Sequence, residues 1–187
     1  RPEFFSLPPR PVDAAPQLLV FGGSQGARML NRMMPQIAAD LLQAVPGLTI
    51  LHQSGARHLE GTRQAYLQST ALRECWSGSW SVEPFFDDMP AKFGAASLVL
   101  CRSGASTVAE LAAAQKPSLL IPFPLAADNH QRCNAEVFVQ AGAAAMLVES
   151  ELTPQRLLFS AISSAFAFPC AAHTVSWGSR STEVRMW

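Results

Sequence analysis

Residues 17–28 read QLLVFGGSQGAR, and the reading of the whole chain starts there. Leu18 to Phe21 form a short, uninterrupted apolar run, as a strand covered on both faces would. Gly22 and Gly23 then permit a tight turn. Beyond the turn Leu30, Met33, Met34, Ile37, Leu41 and Leu42 fall on one helical stripe, which Pro46-Gly47 ends. Strand, glycine turn and helix open a βαβ unit, and the same order recurs downstream. Apolar runs at 48–53 (LTILHQ), 97–101 (SLVLC), 118–124 (SLLIPFP) and 143–149 (AAAMLVE) read as strands, with a less clear one around Trp80–Val82. Between them, helices are expected at 57–70 (Leu59, Tyr66 and Leu67 inward), after Asp87-Asp88-Met89-Pro90, from about 106 to 114, and near 129–141. Thr153-Pro154 has the cap-plus-proline form of a last helix start. Five or six such alternations predict an α/β fold: a Rossmann-like parallel sheet with helices on both faces, whose ligands gather at the carboxyl ends of the strands.

Composition bounds the function. The chain has 187 residues, with 14 Lys+Arg against 14 Asp+Glu and 49% hydrophobic residues. That size suits one domain and a substantial core and argues against disorder. Only Lys92 and Lys116 are lysines, so no polybasic tract is present, and nucleic acid is not an expected partner. Cys75, Cys101, Cys133 and Cys170 make no CxxC pair, and a reducing compartment is the plainer reading, with Cys101 in a buried strand. The histidines have no metal-ligand spacing; His52 reads as a strand-end residue and His58 as a surface residue, and no bound metal is expected. No apolar run reaches the length of a membrane span. The chain begins at Arg1 without a signal-peptide pattern, which reads as the later part of a longer protein. Residues 1–16, with five prolines, read as a linker rather than an element; 17–164 form the folded domain; 165–187 lack a sustained helical stripe and read as a divergent tail.

The candidate residues lie after the strands. Gly22-Gly23-Ser24-Gln25-Gly26 could hold a phosphate on helix-start amides, with Ser24 and Gln25 adding donors, or could be a structural turn. It is neither a Walker loop nor a GxGxxG. It does satisfy GxSxG, with Asp128 and His130 following in hydrolase order. Against a Ser24 nucleophile stands geometry: residues two apart at one helix start point different ways, so Asp128 would struggle to orient His130. A second loop, Arg102-Ser103-Gly104-Ala105-Ser106-Thr107-Val108-Ala109-Glu110, aims another helix start at the same crevice, and two such ends suit a diphosphate. Glu110 could accept from ribose hydroxyls or be a plain capping carboxylate; Arg102 could touch ligand or brace the loop. Asp128-Asn129-His130-Gln131 and Asn134 offer side chains suited to sugar hydroxyls. His130 could act as a general acid or base or be a helix-start residue. Phe85 and Phe86 could wall a base, or be core.

Taken together, GGSQGAR (22–28), HQSG (52–55), FFDDM (85–89), RSGASTVAEL (102–111) and PFPLAADNHQRCNA (122–135) resemble the C-terminal domain of glycosyltransferase family 28. The resemblance covers roughly residues 1–160. It implies the donor-binding half of a two-domain GT-B enzyme of bacterial peptidoglycan synthesis. That enzyme moves N-acetylglucosamine from UDP-N-acetylglucosamine onto C4 of the N-acetylmuramyl unit of lipid I, inverting the anomeric centre and giving lipid II. It implies no metal or cofactor, and work peripherally at the cytoplasmic face of the membrane. By motif position, Ser24 contacts the donor's phosphate region and Arg1 lies near the nucleotide. The backbone of Phe86 reads the uracil. Ala105, Ser106, Thr107, Val108 and Ala109 cradle the nucleotide, with Thr107 near the diphosphate. Glu110 binds the ribose and Gln131 the donor sugar. Gly23, Gln25, Gly26, Gly104, His130 and Asn134 support them. The family's N-terminal domain, with the acceptor site and the general base, is outside these residues, so the expected partners are that domain and, through it, lipid I. Two other readings stay open beside a transferase half inactive alone: a non-catalytic UDP-sugar-binding module working with a partner chain, and a Ser24-dependent hydrolase.

Overall fold

The computed structural model describes residues 2–23 and 27–167. Among these residues six parallel strands form one sheet: β1 (Gln17–Phe21), β2 (Thr49–Gln53), β3 (Trp80–Glu83), β4 (Leu98–Cys101), β5 (Ser118–Leu120) and β6 (Ala144–Met146). Their order across the sheet is β3-β2-β1-β4-β5-β6. The chain thus works outward from the centre to β3, returns to lay β4 beside β1, and works outward again to β6. That order is the doubly wound arrangement.

Alternate residues of β1 serve two cores. Leu18 and Val20 face a cluster built with α1 (Arg28–Ala44), α2 (Leu59–Leu67), α3 (Thr70–Glu74) and α7 (Pro154–Ala167). Leu19 and Phe21 face a second cluster with α4 (Met89–Ala95), α5 (Ala105–Ala114) and α6 (His130–Gln140). The expected stripe on α1 is buried throughout. Each such Leu, Ile or Met contributes roughly 1.5–3 kcal/mol relative to exposure, so this helix anchors its face of the sheet.

The helix starts follow the local chemistry. Asp88 caps α4, its Oδ1 accepting from Ala91 N–H at 3.0 Å. Thr153 does the same for α7 through Arg156 N–H. Three expectations change. The single helix over 57–70 is instead a 3-10 turn (Ala56–His58), then α2, then α3, because Ser69 caps a new start by accepting from Leu72 N–H. Leu67 is 39% exposed, since Tyr66 takes the inward place, stacked on Trp80 at 4.8 Å. The proline-rich lead-in does hold an element: Pro2–Ser6 form a 3-10 turn. Phe4 is buried there, edge-on to Phe93 with ring centroids 5.0 Å apart. The helix α7 runs to Ala167; the reading of the later tail lies outside the described residues, as do those of Arg1, Ser24, Gln25 and Gly26. Among the described residues, no helix is long and apolar enough to cross a membrane.

Candidate functional site

Phe21, the last residue of β1, is in register with both Gln53 of β2 and Cys101 of β4. The loops that begin at Gly22 and Arg102 therefore leave neighbouring strands at the middle of the sheet. One leads to α1 on one face and the other to α5 on the opposite face. A crevice opens where successive connections diverge in this way. Gly22 is required there for space: a Cβ would stand 2.3 Å from both the Cβ and the amide nitrogen of Ala27. Gly23 has φ +85°, in the left-handed region that glycine adopts without strain.

The N-cap positions of α1 and α5 are Ala27 and Gly104. Neither residue has a side chain able to cap, in contrast to Ser69, Asp88 and Thr153 elsewhere. A helix start without a side-chain acceptor leaves its first amides open to an anion. In α5, Ala105, Ser106 and Ala109 are exposed, and Thr107, Val108 and Glu110 are half-buried. Burial, and secondly the charge of Glu110, push the Cys101 thiol well above its usual range. Cys101 is thus an inert core residue and no nucleophile.

Arg102 and Ser103 fix the second loop. The Arg102 guanidinium donates to the carbonyls of Ile121 and Pro122, each at 3.1 Å, and pairs with Glu149 beyond β6. It also lies over the Phe123 ring at 5.3 Å. Of the two readings of Arg102, the bracing one describes these contacts. Ser103 is fully buried; its hydroxyl donates to the Gln131 carbonyl at 2.7 Å. Asn134 Nδ2 donates to the Ser103 carbonyl at 3.0 Å, so this amide ties α6 to the loop. Gln131 Oε1 accepts from Phe123 N–H at 3.0 Å, which orients its Nε2 as the donor left to present. Asp128 and Asn129 have positive φ of 49° and 53° in succession. Asp and Asn tolerate that region better than most residues, and such turns concentrate at functional sites. His130 Nδ1 lies 2.6 Å from the Ala127 carbonyl and donates to it. A backbone oxygen thus occupies the place that a hydrolase triad would give to Asp128.

Beside β1, Phe86 is buried and Phe85 is 55% exposed, so one phenylalanine is core and the other is open. Gln53 is buried between Gly23 and Phe86: its Oε1 accepts from Phe86 N–H at 3.0 Å, and its Nε2 donates to the Gly23 carbonyl at 3.4 Å. Beneath it, His52 is fully buried rather than a simple strand end. Its Nε2 lies 3.0 Å from Asn31 Oδ1, and its Nδ1 lies 3.1 Å from the Tyr66 hydroxyl. Asn31 Nδ2 donates to the Ser54 carbonyl, so Asn31 Oδ1 is an acceptor and His52 carries its proton on Nε2. Burial lowers the pKa of His52 to about 3 and raises that of Tyr66. Gln53 and Ser103 lie in segments that the sequence marks as candidates (53–55 and 102–106) but without a role of their own, and the Asn31–His52–Tyr66 set is not marked by the sequence at all. The signal for Gln53 was a polar pair at a strand's carboxyl end; for Ser103 it was a small polar residue between Arg102 and Gly104.

Residues 17–183 match the family model described as the glycosyltransferase family 28 C-terminal domain. The chain belongs to this family. It is 45% identical over 157 residues to the UDP-N-acetylglucosamine–N-acetylmuramyl-(pentapeptide) pyrophosphoryl-undecaprenol N-acetylglucosamine transferase of Desulfotalea psychrophila, covering 83% of this chain and 41% of that protein. It is 50% identical over 140 residues to the transferase of the same name from Nitrosococcus oceani, covering 75% and 37%. The crystal structure of Acinetobacter baumannii MurG superposes with a TM-score of 0.75 at 31% identity, covering 89% of this chain and 48% of that one. The family 28 chain described here thus spans about two-fifths of the length of the curated relatives it matches. Its parallel sheet flanked by helices is the C-terminal, donor-binding fold of the GT-B type.

Proposed function

We propose that this chain is the donor-binding half of an inverting N-acetylglucosaminyltransferase that uses UDP-N-acetylglucosamine. The observation that carries the proposal is the pair of helix starts, at Ala27 and Gly104, that leave adjacent central strands without a capping side chain. Two such termini offer amide donors and partial positive charge from opposite faces of the sheet, which suits a diphosphate better than a single phosphate. In this reading Ser24 and Thr107 meet the diphosphate and Glu110 accepts from the ribose hydroxyls. The Phe86 backbone meets the uracil, Gln131 donates to the sugar through Nε2, and Arg1 lies near the nucleotide.

The acceptor follows from the names of the relatives, which specify a pyrophosphoryl-undecaprenol carrying an N-acetylmuramyl-pentapeptide. The C4 hydroxyl of that sugar attacks the anomeric carbon. The bond from that carbon to the phosphate oxygen breaks, UDP departs, and the configuration inverts. The hydroxyl proton passes to a base in the domain that precedes this one in the family. Helix-end amides oppose the charge that builds on the departing UDP. A lipid acceptor puts the reaction at a membrane surface, and the resemblance to family 28 sets it at the inner face, with peripheral association.

Calorimetric titration of UDP-N-acetylglucosamine into the chain tests the proposal. Glu110→Ala is expected to weaken binding by roughly ten- to a hundredfold, the about 1.5–3 kcal/mol of a hydrogen bond to a charged group. Equal affinity in both proteins would remove Glu110 from the site. No heat with the unsubstituted chain would contradict the donor-binding reading itself.

A further inference from the structure

We infer that Gln53 is a positioning residue that joins the base-reading and diphosphate-binding halves of the site, an inference that rests on the nucleotide reading above. Gln53 ends β2, next to β1, and is 3% exposed. Its one amide group reaches two loops far apart in sequence. Oε1 accepts from Phe86 N–H at 3.0 Å, and Nε2 donates to the Gly23 carbonyl at 3.4 Å. Phe86 leads into α4 and Gly23 into α1, and the two helices lie on opposite faces of the sheet. Among the side-chain hydrogen bonds of the described residues, those of Gln53 are the ones that span Gly23 and Phe86.

The position of Gln53 is itself held. The next residue, Ser54, donates its backbone N–H to the Glu83 carbonyl, and its own carbonyl accepts from Asn31 Nδ2. Asn31 in turn accepts from the buried His52. The Gln53 amide therefore projects from a strand end fixed on both sides. This has a consequence for base selection. With Phe86 N–H already donated to Gln53, the backbone group of Phe86 left to meet a base in this reading is its carbonyl, an acceptor. Uracil presents an N–H at N3, whereas cytosine presents a lone pair there. Set against N3, such an acceptor favours uridine over cytidine nucleotides. In the nucleotide reading the Gly23 arm acts on the other half of the ligand, because Gly23 immediately precedes Ser24, which that reading sets against the diphosphate.

The two arms are separable by substitution. Gln53→Met has similar volume and makes neither hydrogen bond. Gln53→Glu retains an oxygen to accept from Phe86 N–H and loses the amide donor to Gly23. Affinities of the full 187-residue chain and both variants for UDP, CDP and uridine would be measured by calorimetry, with thermal melts alongside. For Gln53→Met, UDP binding is expected to weaken by about tenfold, from the loss of one to two hydrogen bonds, and the preference for UDP over CDP to fall by a similar factor. Gln53→Glu is expected to restore the UDP-over-CDP preference while the advantage of UDP over uridine stays reduced. A purely structural role would lower the melting temperature of both variants and leave both ratios at their original values, which would overturn the inference. So would a Gln53→Glu chain that no longer melts cooperatively, because Gln53 would then belong to the folding core. Failure of the unsubstituted chain to bind UDP would overturn the nucleotide reading as well, and is told apart because it needs no variant.

Discussion

His52 Nε2 donates to Asn31 and its Nδ1 accepts from Tyr66, so the neutral ring is fully partnered and a charged one would be buried without water. Burial sets its pKa at about 3, against about 6.5 in an unfolded chain. The folded state therefore refuses a proton that the unfolded state accepts. The stability this preserves is complete above about pH 6.5 and is lost as the pH falls toward 3, by roughly 1.4 kcal/mol per pH unit across that window. Urea denaturation of the chain and of His52→Gln between pH 7 and pH 4 should show the difference: the unsubstituted chain carries this extra slope and the variant lacks it. Parallel slopes would mean that His52 is charged in the fold. None of this was legible in the sequence, because Asn31 and Tyr66 come from helices 21 and 14 residues away. The role of Ser103 within its candidate loop was hidden for the same reason: its partners, Gln131 and Asn134, lie on α6, 28 and 31 residues further along the chain. What could be read were residues whose role is local, such as Gly22 in its tight turn and Asp88 at its cap.

The strands and α1 were legible as elements because their burial imposes a period or an unbroken apolar run. Leu18 to Phe21 are buried on both faces, and Leu30, Met34, Ile37 and Leu41 return on one side of a helix. The strands at 118–124 and 143–149 came out shorter, at Ser118–Leu120 and Ala144–Met146. In the first case prolines 122 and 124 cannot donate to a ladder. The 3-10 turn at Pro2–Ser6 was hidden, since proline-rich sequence signals a connection while the one buried residue, Phe4, is stabilised by Phe93, far along the chain. This turn makes the lead-in part of the folded unit. Phe4→Ala should cost about 3–5 kcal/mol, the usual effect of truncating a buried aromatic, measured by chemical denaturation. An unchanged midpoint would show that the lead-in contributes nothing to the core.

Over the whole molecule, alternation of strand and helix specified a parallel sheet but not its order. The return from β3 at one edge to β4 beside β1 is encoded in no local pattern; it follows from which apolar faces can be covered together. That return makes the site, because it brings the loops at Gly22 and Arg102 side by side at the centre of the sheet. Membership of family 28 and the fold of its donor-binding domain agree with this arrangement. Ser103 and Asn134 then lock the second loop to α6, and Arg102 and Gln131 tie the loop and the helix to the segment after β5, so that one side of the crevice is preformed. The most direct measurement is a titration of the isotope-labelled chain with UDP, following backbone amides by nuclear magnetic resonance. If one diphosphate sits between the two helix starts, the amides of Gly23 and of Ser106 and Thr107 shift together along a single saturation curve, and uridine alone leaves them in place. Movement at one helix start without the other, or at neither, would contradict a shared diphosphate site.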